Sequence, residues 1–286
     1  MGNAIARYVM QGPRQAMTLA VVFAAIPLLY WVSAAVVALV ILRQGLSQGM
    51  NVLLAALLPG VAWYAAQQEI TVFIVVLGAA LMAVTLRISV SLPKAIVVST
   101  LSGFAVVGLM ASLSPEWYSL LEKGATEYAN NLAERAPEAS TALTPWILPM
   151  LVGGVAAFTQ LFTIGGLLMA RSWQSQLFNP GGFGEEFRQL RLPLWFGALV
   201  VIFTLVGSAS PTYVGLVPVL LVPMFIGGIS LIHGVVAIKQ LSGQWLFAFY
   251  LSLLFFLPYM YALLILVALL DMLIDIRKRL DDTATN

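Results

Sequence analysis

From Leu192 to Ile238 the chain runs for 47 residues without a charged side chain, and most of the rest is built the same way. No charge falls between Arg14 and Arg43, Arg43 and Glu69, Glu69 and Arg87, Lys94 and Glu116, Glu138 and Arg171, or Lys239 and Asp271. A helix that crosses hydrocarbon needs about 20 apolar residues. Its backbone groups find no water there, so a span is either helical or part of a closed barrel. These runs are continuous and rich in Leu, Ala and Val, without the alternation of a barrel strand. They predict helices. As one helix, the longest run would extend about 70 Å, more than twice the hydrocarbon thickness. It must cross twice, and Gly207-Ser208-Ala209-Ser210-Pro211 marks the break.

Composition agrees: 61% of residues are hydrophobic and 9% charged, with a mean hydropathy of +0.96. A soluble domain is roughly 25% charged, so a cytosolic globular enzyme is excluded. A net charge of +2 gives no reason to expect a nucleic-acid partner. Without cysteine the chain has no disulfides, thiol nucleophiles or thiolate metal sites, and no cofactor is expected. The phosphate-binding pattern GxxxxGK[ST] is absent, so any ATP-driven step needs a separate cytoplasmic ATPase.

Six spans are expected: Val52–Ala66, Ile70–Leu86, Ala95–Leu113, Pro145–Ala170, Leu192–Val206 and Val214–Ile238. Thr18–Leu42 and Gln240–Leu270 each read either as one helix or as a hairpin turning at Pro27 or Pro258. Lys and Arg favour cytoplasmic flanks. With two hairpins, 12 of the 14 cations share one side and only Lys123 and Arg135 lie opposite; with two single spans the split is 7 to 7. The expectation is an all-α, polytopic transmembrane helical bundle of eight to ten membrane segments. It forms one integral membrane domain over residues 1–286, with both termini cytoplasmic. Segments such as Trp245–Leu257 are short for full crossings and read as re-entrant half-helices if they do not span. The N-terminal apolar run is longer than a signal-peptide core and is read as retained.

Two connecting stretches carry more than connection. Residues 114–144 hold Glu116, Glu122, Glu127, Glu134 and Glu138 against Lys123 and Arg135, while Trp117, Leu121, Ala125, Tyr128 and Leu132 recur at helical spacing. This predicts an extracytoplasmic amphipathic helix. Residues 171–193 form a cytoplasmic loop in which Asn179-Pro180-Gly181-Gly182 turns the chain. Glu185 and Glu186 then open a short helix carrying Arg188 and Arg191. That loop is either a connector held by Glu–Arg pairs or a partner-docking surface, with Asn179, Pro180, Gly181, Gly182, Glu186, Arg188 and Arg191 as candidates.

Polar groups at membrane depth are functional candidates by default. His233 is the only histidine, set among Gly227, Gly228 and Gly234. It is a ligand or proton-relay candidate, or a satisfied structural histidine. A single histidine makes no metal site. Asp271 and Asp275 stand four apart before Arg277-Lys278-Arg279, and Asp275 is placed to pair with Lys278 or Arg279. Asp271 is then either structural or a coupling or ligand-binding carboxylate, and Asp271 and Asp275 both stand as ligand or proton-relay candidates. Thr159, Gln160 and Thr163 form a milder polar patch beside Gly153-Gly154 and Gly165-Gly166, read mainly as helix packing, with Gln160 a ligand candidate.

The run Asp271 to Arg279, preceded by the Gly228–His233 segment and by the Arg171-Ser-Trp-Gln…Asn179-Pro180-Gly181-Gly182-Phe183…Glu186-Phe187-Arg188 loop, resembles the YybS-like family of predicted membrane proteins. That family is similar in expected fold to the substrate-binding membrane subunits of energy-coupling-factor transporters and to the cell-shape protein MreD. The resemblance implies a non-enzymatic subunit that binds a small molecule or lipid, with membrane lipid, other membrane subunits or a separate ATPase as partners. An envelope scaffold of MreD type is the alternative. The first reading expects a central cavity reached from the outer side, lined by a few polar groups among aromatics.

Overall fold

The computed structural model describes residues 2–284. Among them the chain forms sixteen helices and no strand. The first seven are α1 (Gly2–Val9), α2 (Pro13–Ala25), α3 (Tyr30–Gln44), α4 (Leu46–Gln67), α5 (Thr71–Ser89), α6 (Leu92–Val98) and α7 (Thr100–Leu113). Then come α8 (Pro115–Arg135), α9 (Pro137–Phe178), α10 (Gly182–Arg188), α11 (Leu194–Ala209) and α12 (Pro211–Val214). The chain closes with α13 (Leu216–Ile238), α14 (Gly243–Phe255), α15 (Leu257–Ile274) and α16 (Ile276–Ala284). Six segments are long and apolar enough to cross a membrane: α4, α5, α6 with α7, α9, α12 with α13, and α15. The protein is an all-α, multi-pass membrane bundle.

The centre is α3. Every residue from Val32 to Leu42 is buried, so this helix is apolar all round and covered all round. Helices α2, α4, α5 and α9 surround it. Lipid is as apolar as leucine, so close van der Waals fit rather than escape from water holds membrane helices together. Gly166 of α9 provides that fit: a Cβ there would lie 3.1 Å from both Trp31 O and Ala34 Cβ. Gly228 does the same between α13 and α15, where a Cβ would come within 2.4 Å of Leu264 O. Two polar devices fix the ends of α3. Ser33 Oγ donates to Ala20 O of α2 at 2.7 Å, and Arg87 Nη1 donates to Leu42 O at 2.6 Å, capping the last turn.

Both ambiguous stretches are hairpins. α2 ends at Ala25, Pro27 sits in the turn, and Leu28 takes the left-handed conformation with φ 64°. α14 ends at Phe255 and Pro258 falls in the first turn of α15, where its missing N–H costs nothing. The break between α11 and α12 falls at Ser210. At about 20 Å each, α2 and α14 are shorter than the hydrocarbon. α2 packs onto α3 and α4, whereas α14 buries none of its residues.

Two expected loops are largely helical. Within residues 114–144, α8 folds back along the start of α9, and Ser140 Oγ donates to Ala129 O across the hairpin. The packed stripe of α8 is Leu121, Ala125, Ala129 and Leu132, whereas Trp117 and Tyr128 face outward at 39% and 60% exposure. Within residues 171–193, α9 carries on to Phe178, so only the segment from Asn179 onward departs from it. With 42 residues, α9 is about 63 Å long and outruns the hydrocarbon at its ends.

Because the segments alternate in direction, the chain sorts its charges. Twelve of its 14 Lys and Arg residues stand at the end where α3, α5, α9, α13 and α15 finish. Lys123 and Arg135 stand at the other, with the acidic α8. The native chain lacks cysteine, so single cysteines report the two ends directly. Asn130→Cys and Lys239→Cys are expected to react with an impermeant maleimide from opposite sides of sealed vesicles; labelling of both from one side would break this topology.

Candidate functional site

The polar residues singled out in the sequence divide into three sites at different depths. The most connected lies where α15 ends. Asp275 leaves the helix with φ 50°, so the chain turns there and α16 starts afresh. Asp275 Oδ1 accepts the Lys278 N–H at 3.2 Å and Asp271 Oδ1 accepts the Ile276 N–H at 3.0 Å, so the two carboxylates cap α16. The side-chain partner of Asp275 is Arg191, at 2.7 Å, rather than the neighbouring cations expected from spacing, because the turn takes Asp275 out of a continuous helix. Arg191 also donates from Nε to Asp271 O at 3.0 Å and from Nη2 to Met272 O at 2.9 Å. One guanidinium thus reaches Met272 O in the last turn of α15 and shares Asp271 O with the Asp275 N–H.

Asp271 is 3% exposed and lies 3.6 Å from Arg277 Nη1. Arg277 bridges onward, donating to Leu190 O at 2.9 Å and Ser230 Oγ at 3.2 Å, while Ser230 Oγ donates to Phe187 O at 2.6 Å. Burial lowers the pKa of Arg277 from its ordinary value, and the Asp271 carboxylate opposes that shift. This network joins α10, α13, α15 and α16. The sequence brought Asp271 and Asp275 forward but not Ser230 or the bridging role of Arg277.

The Asn179–Arg191 segment is mostly occupied internally. Ser175 Oγ donates to Asn179 O at 2.8 Å and accepts the Phe183 N–H at 3.0 Å. Gly181 takes φ 88°, Gly182 opens α10, and Pro180 sits exposed in the turn. Glu186 pairs with Arg171 of α9 at 2.6 Å. Of the cations proposed for docking, Arg188 makes no ion pair among the described residues. It lines a cleft of about 790 Å³ with Glu185, Gln189, Gly234, Arg277 and Lys278.

Beside the same cleft, half-buried His233 Nε2 is 2.7 Å from Tyr250 Oη, and its ring stands edge-on to Phe187. Gln160 is fully buried and donates from Nε2 to Ser99 Oγ at 2.8 Å, at the junction of α6 and α7. Ser99 and Ser102 donate in turn to Ile96 O and Ser99 O, which is why the span bends there. Thr163 Oγ1 donates to Thr159 O, completing the buried patch.

Beside that patch an apolar groove of about 500 Å³ opens sideways between α5 and α7, with Tyr64 of α4 at one end. Its walls include Phe73, Leu77, Leu101, Ala105 and Leu109; Gly78 and Ser102 also line it. A Cβ on Gly78 would lie 2.7 Å from Thr163 Cγ2, so the groove rests on the contact of α5 with α9. It differs from the expected central cavity, since α3 fills the middle of the bundle. No family model, curated protein or solved structure matches the chain.

The Arg191 network allows a ranking. The Arg191–Asp275 pair is 34% and 36% exposed, and such pairs contribute little. Bonds from a cation to backbone carbonyls contribute about 1.5–3 kcal/mol. Arg191→Ala is therefore expected to lower thermal stability in detergent more than Asp275→Asn, by at least about 1 kcal/mol. Equal losses would make the ion pair, not the helix cap, the main contribution.

Proposed function

We propose that this protein is a non-enzymatic component of the bacterial inner membrane that holds a lipid or lipid-like small molecule in the groove between α5 and α7. The groove itself carries the reading. It is apolar, with the aromatic rings of Tyr64 and Phe73 and two hydroxyls, those of Tyr64 and Ser102, and it lies between the apolar spans of α5 and α7, where lipid would face it. The polar side chains support a binding role over a chemical one, because most of their groups are engaged with each other: buried Gln160 Nε2 with Ser99, half-buried His233 with Tyr250, and buried Asp271 with Arg277, while Gln160 Oε1 and Arg277 Nε have no partner among the described residues. In this proposal the cation-rich end faces the cytoplasm, in keeping with the bias of Lys and Arg, and both termini lie there. Passage of the molecule across the membrane would call on other membrane subunits or a separate ATPase.

A scaffold role is the second reading, favoured by the hairpin of α8 with α9. Trp117, Leu120 and Tyr128 are exposed there beside an acidic surface, as a partner-facing helix would present them. The two readings part on one substitution. Ala105→Trp fills the groove without touching the hairpin. Native mass spectrometry of gently extracted protein is expected to show a bound lipid-sized mass on the native chain and its loss in Ala105→Trp. Leu58→Trp, on the exposed face of α4, is expected to retain it. Identical spectra for native and Ala105→Trp protein would remove the groove as the site.

A further inference from the structure

Three arginines from three different membrane helices meet at the cation-rich end. Arg43 closes α3, Arg87 lies near the end of α5, and Arg171 lies in the last turns of α9. Together with Gln174, Asn179 and Glu186 they line a pocket of about 370 Å³ whose remaining wall is apolar, from Leu42, Leu86, Val90 and Phe178. Their charges are unequally used. Arg171 is paired with Glu186 at 2.6 Å and bonds Gln174 Oε1 at 3.3 Å. Arg87 is held by the carbonyls of Leu42 and Ile41, at 2.6 and 3.4 Å, with no carboxylate among its partners. Arg43 lies over the Phe178 ring at 4.2 Å and makes no ion pair among the described residues. One acid therefore faces three guanidinium groups. Two positive charges stay uncompensated in a concave site at the level where membrane helices end.

We infer that this pocket binds a phosphate group, and that its source is the head group of an anionic phospholipid from the adjoining leaflet. Guanidinium groups match phosphate oxygens in geometry as well as charge, and basic pockets between membrane helices are where anionic head groups lodge. The apolar wall favours a phosphodiester carrying acyl chains over free phosphate. Val90 lines the pocket at 86% exposure and neighbouring Ile88 is 78% exposed, a surface suited to hydrocarbon beside the charged mouth. Arg43 is the specificity-determining cation, because its charge has no other partner. Arg87 is a positioning residue, fixed by the α3 carbonyls so that its remaining N–H groups turn to the pocket.

The groove of the proposed function uses Phe73, Leu77 and Leu81 of α5, whereas this pocket uses Leu86, Arg87 and Val90. The two sites therefore stand or fall separately. The test is native mass spectrometry of the full-length protein from micelles doped with equal amounts of phosphatidylglycerol and phosphatidylcholine. The native chain should retain phosphatidylglycerol preferentially. Arg43→Gln should lower that preference by about fivefold, the effect of one cation at a membrane surface. Arg188→Gln, in the other basic cleft, and Ala105→Trp, in the groove, should leave it unchanged. No preference in the native chain, or equal preference in Arg43→Gln, would overturn the site. Millimolar inorganic phosphate should not displace the lipid; displacement would identify the free ion as ligand and overturn the lipid assignment.

Discussion

A fifteen-residue helix with no polar face can be stable in a membrane protein only if other helices cover it completely, and α3 sets that condition for this bundle. It is too short to cross the hydrocarbon comfortably and leaves backbone groups unpaired at both ends. At the last turn they are met from outside the helix. Arg87 donates to the carbonyls of the last turn, and the Ser33 hydroxyl ties the first turns to α2. Close contact then depends on small side chains, as at Gly166. Helices α2, α4, α5 and α9 are arranged around this core. The groove and the arginine pocket both lie at the margins of this ring, where α5 diverges from its neighbours.

The same logic recurs at the end of α15, with charge in place of hydrocarbon packing. Arg191 caps the helix, Asp271 and Asp275 cap the next one, and Arg277 ties the turn to Ser230 and the α10 region. A buried pair such as Asp271–Arg277 gives up its hydration, so its value lies in joining four helices in one register rather than in net attraction. Both aspartates are engaged in capping α16 and in the pairs with Arg191 and Arg277.

The membrane character and the positions of five of the six expected spans were legible because hydrocarbon imposes length and polarity limits that act residue by residue. The sixth, Leu192–Val206, corresponds to α11, which falls short of a crossing length. Even the two hairpins at Pro27 and Pro258 could be chosen, since a single physical bias sorts Lys and Arg across the whole chain. Continuation of α9 beyond Ala170 was hidden, since Arg171 reads as the end of a span until Glu186 is seen to neutralise it. The partners of Asp275 and Gln160 were hidden for a related reason. Local spacing favours nearby residues, whereas Arg191 and Ser99 arrive from 84 and 61 positions away. The groove had no sequence signature at all: Gly78, Ala105 and Leu101 are ordinary membrane-helix residues until α5 and α7 are seen to part.

The claim on which this account turns is that α3 is shielded from lipid by protein on every side. Carbene labelling with a diazirine dissolved in the bilayer, read by mass spectrometry, measures that shielding directly. Heavy modification is predicted on the outward faces of α4, α11 and α14, with Val32–Leu42 left essentially unmodified. Modification of Val32–Leu42 at the level seen for Phe247 or Leu254 would contradict it.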